Sequence, residues 1–313
     1  MENEIVLNKK AKMPLSRVIF IISFIIVPTV NFLVFYVYVN FDGILMAFYR
    51  WDRGVTNKIW GFENFTMFFD ELKAGGTIYV AFINTFKTFG INLVIFPWGI
   101  VVAYFLYKKI FGYKVFRILF FLPSIISGII VVIVYKNLIS VDGPIAKLVQ
   151  NMFNLEETPD VLGDERFANY FVWIHLLWLS FPGDMIIWGG AFARIPDSVI
   201  ESARLDGASW TTELVRIILP MIWPTFALKF IMLFSTVFSS SGAVFLLTNG
   251  GAGTMTFSAW QYIMIRGDGH TPPPTSAIYN YVSAIGILVT IAAMLIVVVC
   301  KYFENKFFKD VDY

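Results

Sequence analysis

Lys87, His175, Asp184 and Lys229 are ionisable side chains inside long apolar runs of this sequence. A charge surrounded by hydrocarbon is expensive, so residues of this kind mark solute or ion paths, or pair with one another. Asp184 follows Pro182-Gly183, where a broken helix would set its carboxylate beside a polar cavity. Asn84 and Asn280 are uncharged candidates for the same path. Other readings stay open at these positions: an inter-helix hydrogen bond for Asp184 and His175, and snorkelling toward the head groups for Lys87 and Lys229. Enzymatic chemistry has less to stand on. Cys300 is the single cysteine, and His175 and His270 lie far apart in the chain, which leaves a metal cluster without its usual ligand spacing. No G-x-x-x-x-G-K-[ST] loop is present to cradle phosphates, and no convergent catalytic set stands out.

The elements that would position these residues are set by lipid. Hydrophobic residues make up 58% of the chain and charged residues only 15%, against about 25% charged in soluble domains. Mean hydropathy is +0.70. A net charge of +2 gives no case for a nucleic-acid surface. Apolar runs predict an all-α integral membrane protein with spans at 18–40, 83–107, 115–138, 168–192, 222–247 and 277–303. Each is long enough to cross a hydrocarbon core of about 30 Å. Pro28, Pro97, Pro123, Pro182 and Pro224 fall inside them, which membrane bundles tolerate because neighbours satisfy the freed backbone groups. The stretch after Arg17 is too long for a signal-peptide core and lacks a cleavage site, so it reads as a retained helix. Residues 1–17 and 304–313 form short tails around one membrane domain, 18–303, and leave no room for a fused ATPase. Lys and Arg number fourteen on one set of loops and seven on the other. The positive-inside rule therefore puts both termini, and the loop at 193–221, in the cytoplasm.

That loop is the least membrane-like cytoplasmic segment. Ser198 followed by Glu201 fits a capping box, and the helix it would start runs to Leu205 and ends at Gly207, a residue suited to a left-handed C-terminal position. A second amphipathic run, 211–219, is expected to stop at Pro220. Two short helices joined at a glycine make a projection fit for a cleft on another protein.

Glu201-Ser202-Ala203, then Gly207, then Ile217, Leu219 and Pro220 match at every interval the EAA signature, E-A-A, three residues, G, nine residues, I-x-L-P. The chain thus resembles the permeases of ABC importers. Glu201-Ser-Ala-Arg-Leu-Asp-Gly-Ala is close to the E-A-A-x-x-D-G-A form of the sugar permeases, with Ser202 in place of the usual alanine. Ile195-Pro196, Arg117-Ile-Leu-Phe-Phe-Leu-Pro123 and Leu247-Thr-Asn-Gly-Gly251 with Thr256 extend the likeness along most of the chain. The subunits it resembles are of the maltose and glycerol-phosphate type. The resemblance implies type I importer architecture, a second permease subunit (commonly a paralogue), an ABC ATPase dimer and an extracellular solute-binding protein. ATP and Mg would belong to the ATPase and no cofactor to this chain.

By the same resemblance the helix at 201–208 is the coupling helix, seated in a groove of the ATPase. Glu201 would pair with a basic residue there and Gly207 would allow the sharp turn, with Ser202, Ala203, Asp206 and Ala208 at the contact. The plainer reading, a cap and a helix stop, is compatible with it. The cargo is less legible. Aromatics are 18% of the chain, yet Trp98, Trp173, Trp178 and Trp188 suit an interface belt or helix packing as well as sugar stacking. A saccharide or oligosaccharide follows from the resemblance alone. The rival is an ion-coupled secondary carrier using Asp184 and Lys87, which expects internal repeats and leaves the loop pattern unexplained.

Overall fold

A backbone surrounded by lipid must satisfy its own hydrogen bonds, which accounts for the mostly helical structure of the described residues. The computed structural model describes residues 14–50, 59–239, 242–266 and 276–307. Helix α1 (Leu15–Ala47) contains a π-helical stretch at Phe32–Tyr38. A two-residue pairing of β1 (Tyr49–Arg50) with β2 (Ile59–Trp60) follows, antiparallel, with Tyr49 opposite Trp60. Then come α2 (Glu63–Ala74), α3 (Thr77–Tyr107), α4 (Tyr113–Ile125), α5 (Gly128–Ile139), α6 (Pro144–Phe153), α7 (Ala168–Phe192), α8 (Asp197–Leu205), α9 (Trp210–Met221), α10 (Trp223–Ser235), α11 (Gly242–Thr248), α12 (Phe257–Arg266) and α13 (Ser276–Phe307).

Among the described residues, four helices are long and apolar enough to cross a membrane: α1, α3, α7 and α13. The count reaches six if each of two bent pairs is one span. This differs from six unbroken spans. The run at 115–138 is divided between α4 and α5, bent by 112°, because Ile126 and Ser127 take extended backbone angles. Pro123, one turn before the break, has no amide to give to the preceding turn. The run at 222–247 is likewise divided: α10 ends at Ser235 and α11 begins at Gly242. Hydropathy integrates over the whole stretch and does not register a change of direction.

Helix α3 is the centre of the assembly. It packs along α7, and also meets α2, α4 and α12, while α13 packs on α2, α10 and the 39–47 end of α1. Three buried clusters result. One gathers Phe96, Ile100 and Tyr104 of α3 with Trp188 and Phe192 of α7 and Ile200, Leu214 and Ile218 of the following loop. A second joins α5, α6, α7 and α11, and a third joins α2, α3, α12 and α13 around Phe257. The exposed Ile and Phe side chains of α1 and α13 are no defect here. Lipid is as apolar as leucine, so close packing and buried polar contacts, not apolar burial alone, decide which helix faces meet.

Candidate functional site

The loop after α7 begins with Pro196, whose extended backbone caps α8 without any side-chain hydrogen bond. The Ser198–Glu201 capping box does not form: the helix starts at Asp197, so Ser198 is already inside its first turn. Asp197 in that turn and Arg204 in the last are placed to favour the helix dipole. The C-terminal end matches the sequence expectation. Gly207 has φ +72°, its amide donates to Arg204 O at 3.1 Å, and Ala208 N–H donates to Ala203 O at 3.0 Å, the two bonds of a Schellman motif.

The faces of α8 divide the predicted docking set. Ile200 is buried in the α3–α7 cluster and Ala203 is also buried, while Glu201, Ser202, Asp206 and Gly207 are exposed and Ala208 is half-buried. Leu205 is 90% exposed, beside Asp206 at the helix end. A short helix is thus anchored by one side and presents a carboxylate and an isobutyl group on the other.

Behind it, α9 begins one residue earlier than its periodicity suggested. Ser209 caps it, accepting from Thr212 N at 3.3 Å. The helix widens to π geometry at Glu213–Ile218 and runs through Pro220 to Met221, where it bends by 85° into α10. The run thus ends one residue beyond Pro220, at Met221. At the base of α9 the Glu213 carboxylate is in direct contact with Lys108 Nζ, with side chains 4% and 15% exposed. Phe105 and Trp210 pack beside them with ring centroids 5.3 Å apart. A cavity of about 240 Å³ lined by Tyr107, Lys108, Lys109, Asp197, Glu201 and Arg204 separates α8 from the end of α3.

Deeper in the bundle, Asp184 of α7 and Lys229 of α10 pair with each other, Nζ to Oδ1 at 2.9 Å. A Cβ on Gly99 of α3 would lie 2.4 Å from Asp184 Oδ2, so the carboxylate occupies space that only glycine leaves. Two charges read separately in the sequence are one neutralised unit. Lys87 is on the exposed face of α3, with no ion pair among the described residues. His175 is 1% exposed, packs on Tyr135 at 4.9 Å, and neither ring nitrogen has a hydrogen-bond partner among the described residues.

The far end of α3 holds a different structure. Asn84 Nδ2 donates to Gly253 O at 2.5 Å and to Met255 O at 3.1 Å, and Asn169 also donates to Gly253 O. Thr85 accepts from Phe257 N at 2.8 Å, while Trp173 Nε1 donates to Thr88. These bonds tie down the 249–257 loop, in which Asn249, Gly250, Ala252 and Gly253 all have positive φ. Asn280 is buried, its Nδ2 without a partner among the described residues. Trp188 is fully buried against Phe96, and Trp98 is 55% exposed.

Glu213, Lys108 and Gly99 were not singled out from sequence. Lys108 counted only toward topology. The one usable signal was Glu213 itself, an acid within the otherwise amphipathic run at 211–219.

The described residues form a bundle of long apolar helices, two pairs of them sharply bent, with one short anchored helix between α7 and α9. Residues 95–309, more than half of the chain, match the model of the binding-protein-dependent transport system inner membrane component, and the chain belongs to that family. The multiple sugar-binding transport system permease protein MsmF of Streptococcus mutans is 26% identical over 91% of this chain and 95% of its own length. The maltose/maltodextrin permease protein MalF of Vibrio parahaemolyticus is 30% identical over 141 residues, 45% of this chain and 26% of that longer protein. Among solved structures, a bacterial ABC transporter that imports the acidic polysaccharide alginate contains a chain of the same fold. Its TM-score is 0.75 at 21% identity, over 93% of this chain and 96% of that one.

Proposed function

We propose that this chain is one permease subunit of an ATP-driven importer and forms half of the translocation path for a saccharide or oligosaccharide. Its six spans count α4–α5 and α9–α10 as one each, and both termini are cytoplasmic, as the Lys and Arg distribution requires. The carrying observation is α8: a short helix rooted by Ile200 and Ala203, showing Glu201 and Leu205 outward and closed by left-handed Gly207. It suits a groove on a separate ATPase, with Glu201, Ser202, Asp206, Gly207 and Ala208 near the contact and Ala203 holding the helix in place. ATP and Mg act in that ATPase dimer. A second permease subunit, a paralogue of this one, completes the path, and an extracellular binding protein delivers the solute and favours the state it fits. The sugar reading is supported by MsmF, whose likeness runs over nearly the whole chain.

The test is uptake of labelled oligosaccharide by proteoliposomes holding both permeases, the ATPase and the binding protein. Glu201→Ala and Gly207→Val should release the ATPase or uncouple it while the membrane domain stays folded. Unchanged copurification and uptake would remove the docking role. Uptake that persists without the ATPase and collapses with an ion gradient would instead favour the ion-coupled carrier.

A further inference from the structure

We propose that the buried Lys108–Glu213 pair is a positioning joint that makes α9 and α3 move together, so that a load on α8 reaches the membrane bundle. The proposal rests on the reading of α8 as the ATPase contact. Helix α8 contributes only Ile200 and Ala203 to the core, and its C-terminal end passes through the exposed residues Asp206, Gly207 and Ser209. A displacement of α8 could be absorbed there unless the segment after it is held. Apolar contacts hold it weakly in this respect, because they are non-directional and allow sliding. A desolvated ion pair is directional, since each partner left alone would be an uncompensated buried charge.

The pair sits where such a joint is needed. Lys108 is the first residue after α3, and its Nζ also lies 5.6 Å from the Tyr104 ring one turn back. Glu213 opens the π stretch of α9, which turns Glu213, Leu214 and Ile218 toward the buried side. π-helical turns of this kind recur at functional positions. Beyond Met221 the chain turns 85° into α10, and α10 is pinned in its turn by Lys229 to Asp184. Asp184 rests on Gly99, nine residues before Lys108 on α3, or about 13.5 Å along the axis. Both arms of the α9–α10 corner are therefore fixed by ion pairs beside one segment of α3, one buried and one part-buried, with Ile100 and Tyr104 of that segment in the same core cluster. The corner is a bracket, and Lys108–Glu213 secures the arm nearest α8.

The test uses the complete transporter in proteoliposomes, reading ATPase copurification, ATP hydrolysis and solute moved per ATP. Glu213→Gln and Lys108→Met should keep the ATPase bound and hydrolysing while solute per ATP falls about tenfold, and the swap Lys108→Glu with Glu213→Lys should recover most of that loss. Lys114→Met, in the first turn of α4 and exposed, should leave the ratio unchanged. If Glu213→Gln does not assemble, Glu213→Asp keeps the charge with a shorter reach and should give an intermediate ratio. A wild-type ratio in the assembled single variants overturns the proposal, as does a swap no better than the singles. Loss of ATPase from the single variants also overturns it, because the pair would then serve docking rather than transmission. Failure of the underlying docking reading looks different: Glu201→Ala and Gly207→Val would leave ATPase binding and uptake intact.

Discussion

Replacing Gly99 by alanine puts a methyl group where the Asp184 carboxylate now sits. The new carbon would lie 2.4 Å from Oδ2, 3.1 Å from Cγ and 3.3 Å from Cβ. Rotating the carboxylate relieves the first contact, not the other two, and it draws Oδ1 away from Lys229, now 2.9 Å distant. Overpacking a helix contact costs about 1–3 kcal/mol. Complete rupture of a buried pair costs about 3–5 kcal/mol, but the Lys229 side chain retains 22% exposure and Asp184 11%, so much of the hydration is recoverable. The expected destabilisation is about 2–4 kcal/mol, less than the sum because the two effects share one movement. Equilibrium unfolding in mixed micelles, with urea or SDS as denaturant, measures it. The decisive comparison is the background Asp184→Ala with Lys229→Met, in which the methyl group has room and no ion pair to disturb. There Gly99→Ala should cost under about 1 kcal/mol, in the range of a tolerated core change. Equal destabilisation in both backgrounds would refute the account, since the glycine would then be answering to something other than Asp184.

Asn84→Leu should remove the two bonds to Gly253 and Met255 carbonyls and lower stability by about 1–3 kcal/mol; increased protease cleavage within 249–257, with ATPase copurification unchanged, would locate the effect. Gly207→Ala should be milder than Gly207→Val, because a β-branched side chain tolerates φ +72° least; limited proteolysis of the 205–210 segment reports the difference. Arg166, through hydrogen bonds to its side chain and amide, holds the Asp164 carboxyl below the usual carboxylate range. Its contribution to loop order is therefore complete above that range and is lost as pH falls through the lowered value. Carbon-detected NMR titration of the Asp164 carboxyl should show the lowered midpoint, and Arg166→Gln should return it toward normal.

Much of this architecture is legible in the sequence because its causes are local or additive. Hydropathy sums along a segment, so the apolar runs, their number and their approximate ends follow from composition under the demand that lipid makes on backbone hydrogen bonds. The Gly207 stop follows from the conformational preference of one residue, and the interval from Glu201 to Pro220 marks the loop. What hydropathy could not register was direction: the 112° bend arises where Ile126 and Ser127 leave helical angles inside a run that stays apolar, and the 85° bend lies where the loop helix α9 meets the next apolar run. Nor could it register partnership. Asp184 and Lys229 are 45 residues apart in the chain, and only the packing of α7, α10 and α3 makes them a pair with Gly99 beneath. Lys108 counted only toward topology and Glu213 was not singled out; they become a pair only when α9 turns against the end of α3. The loop signature is written in consecutive residues; the two ion pairs exist only once distant helices are brought together.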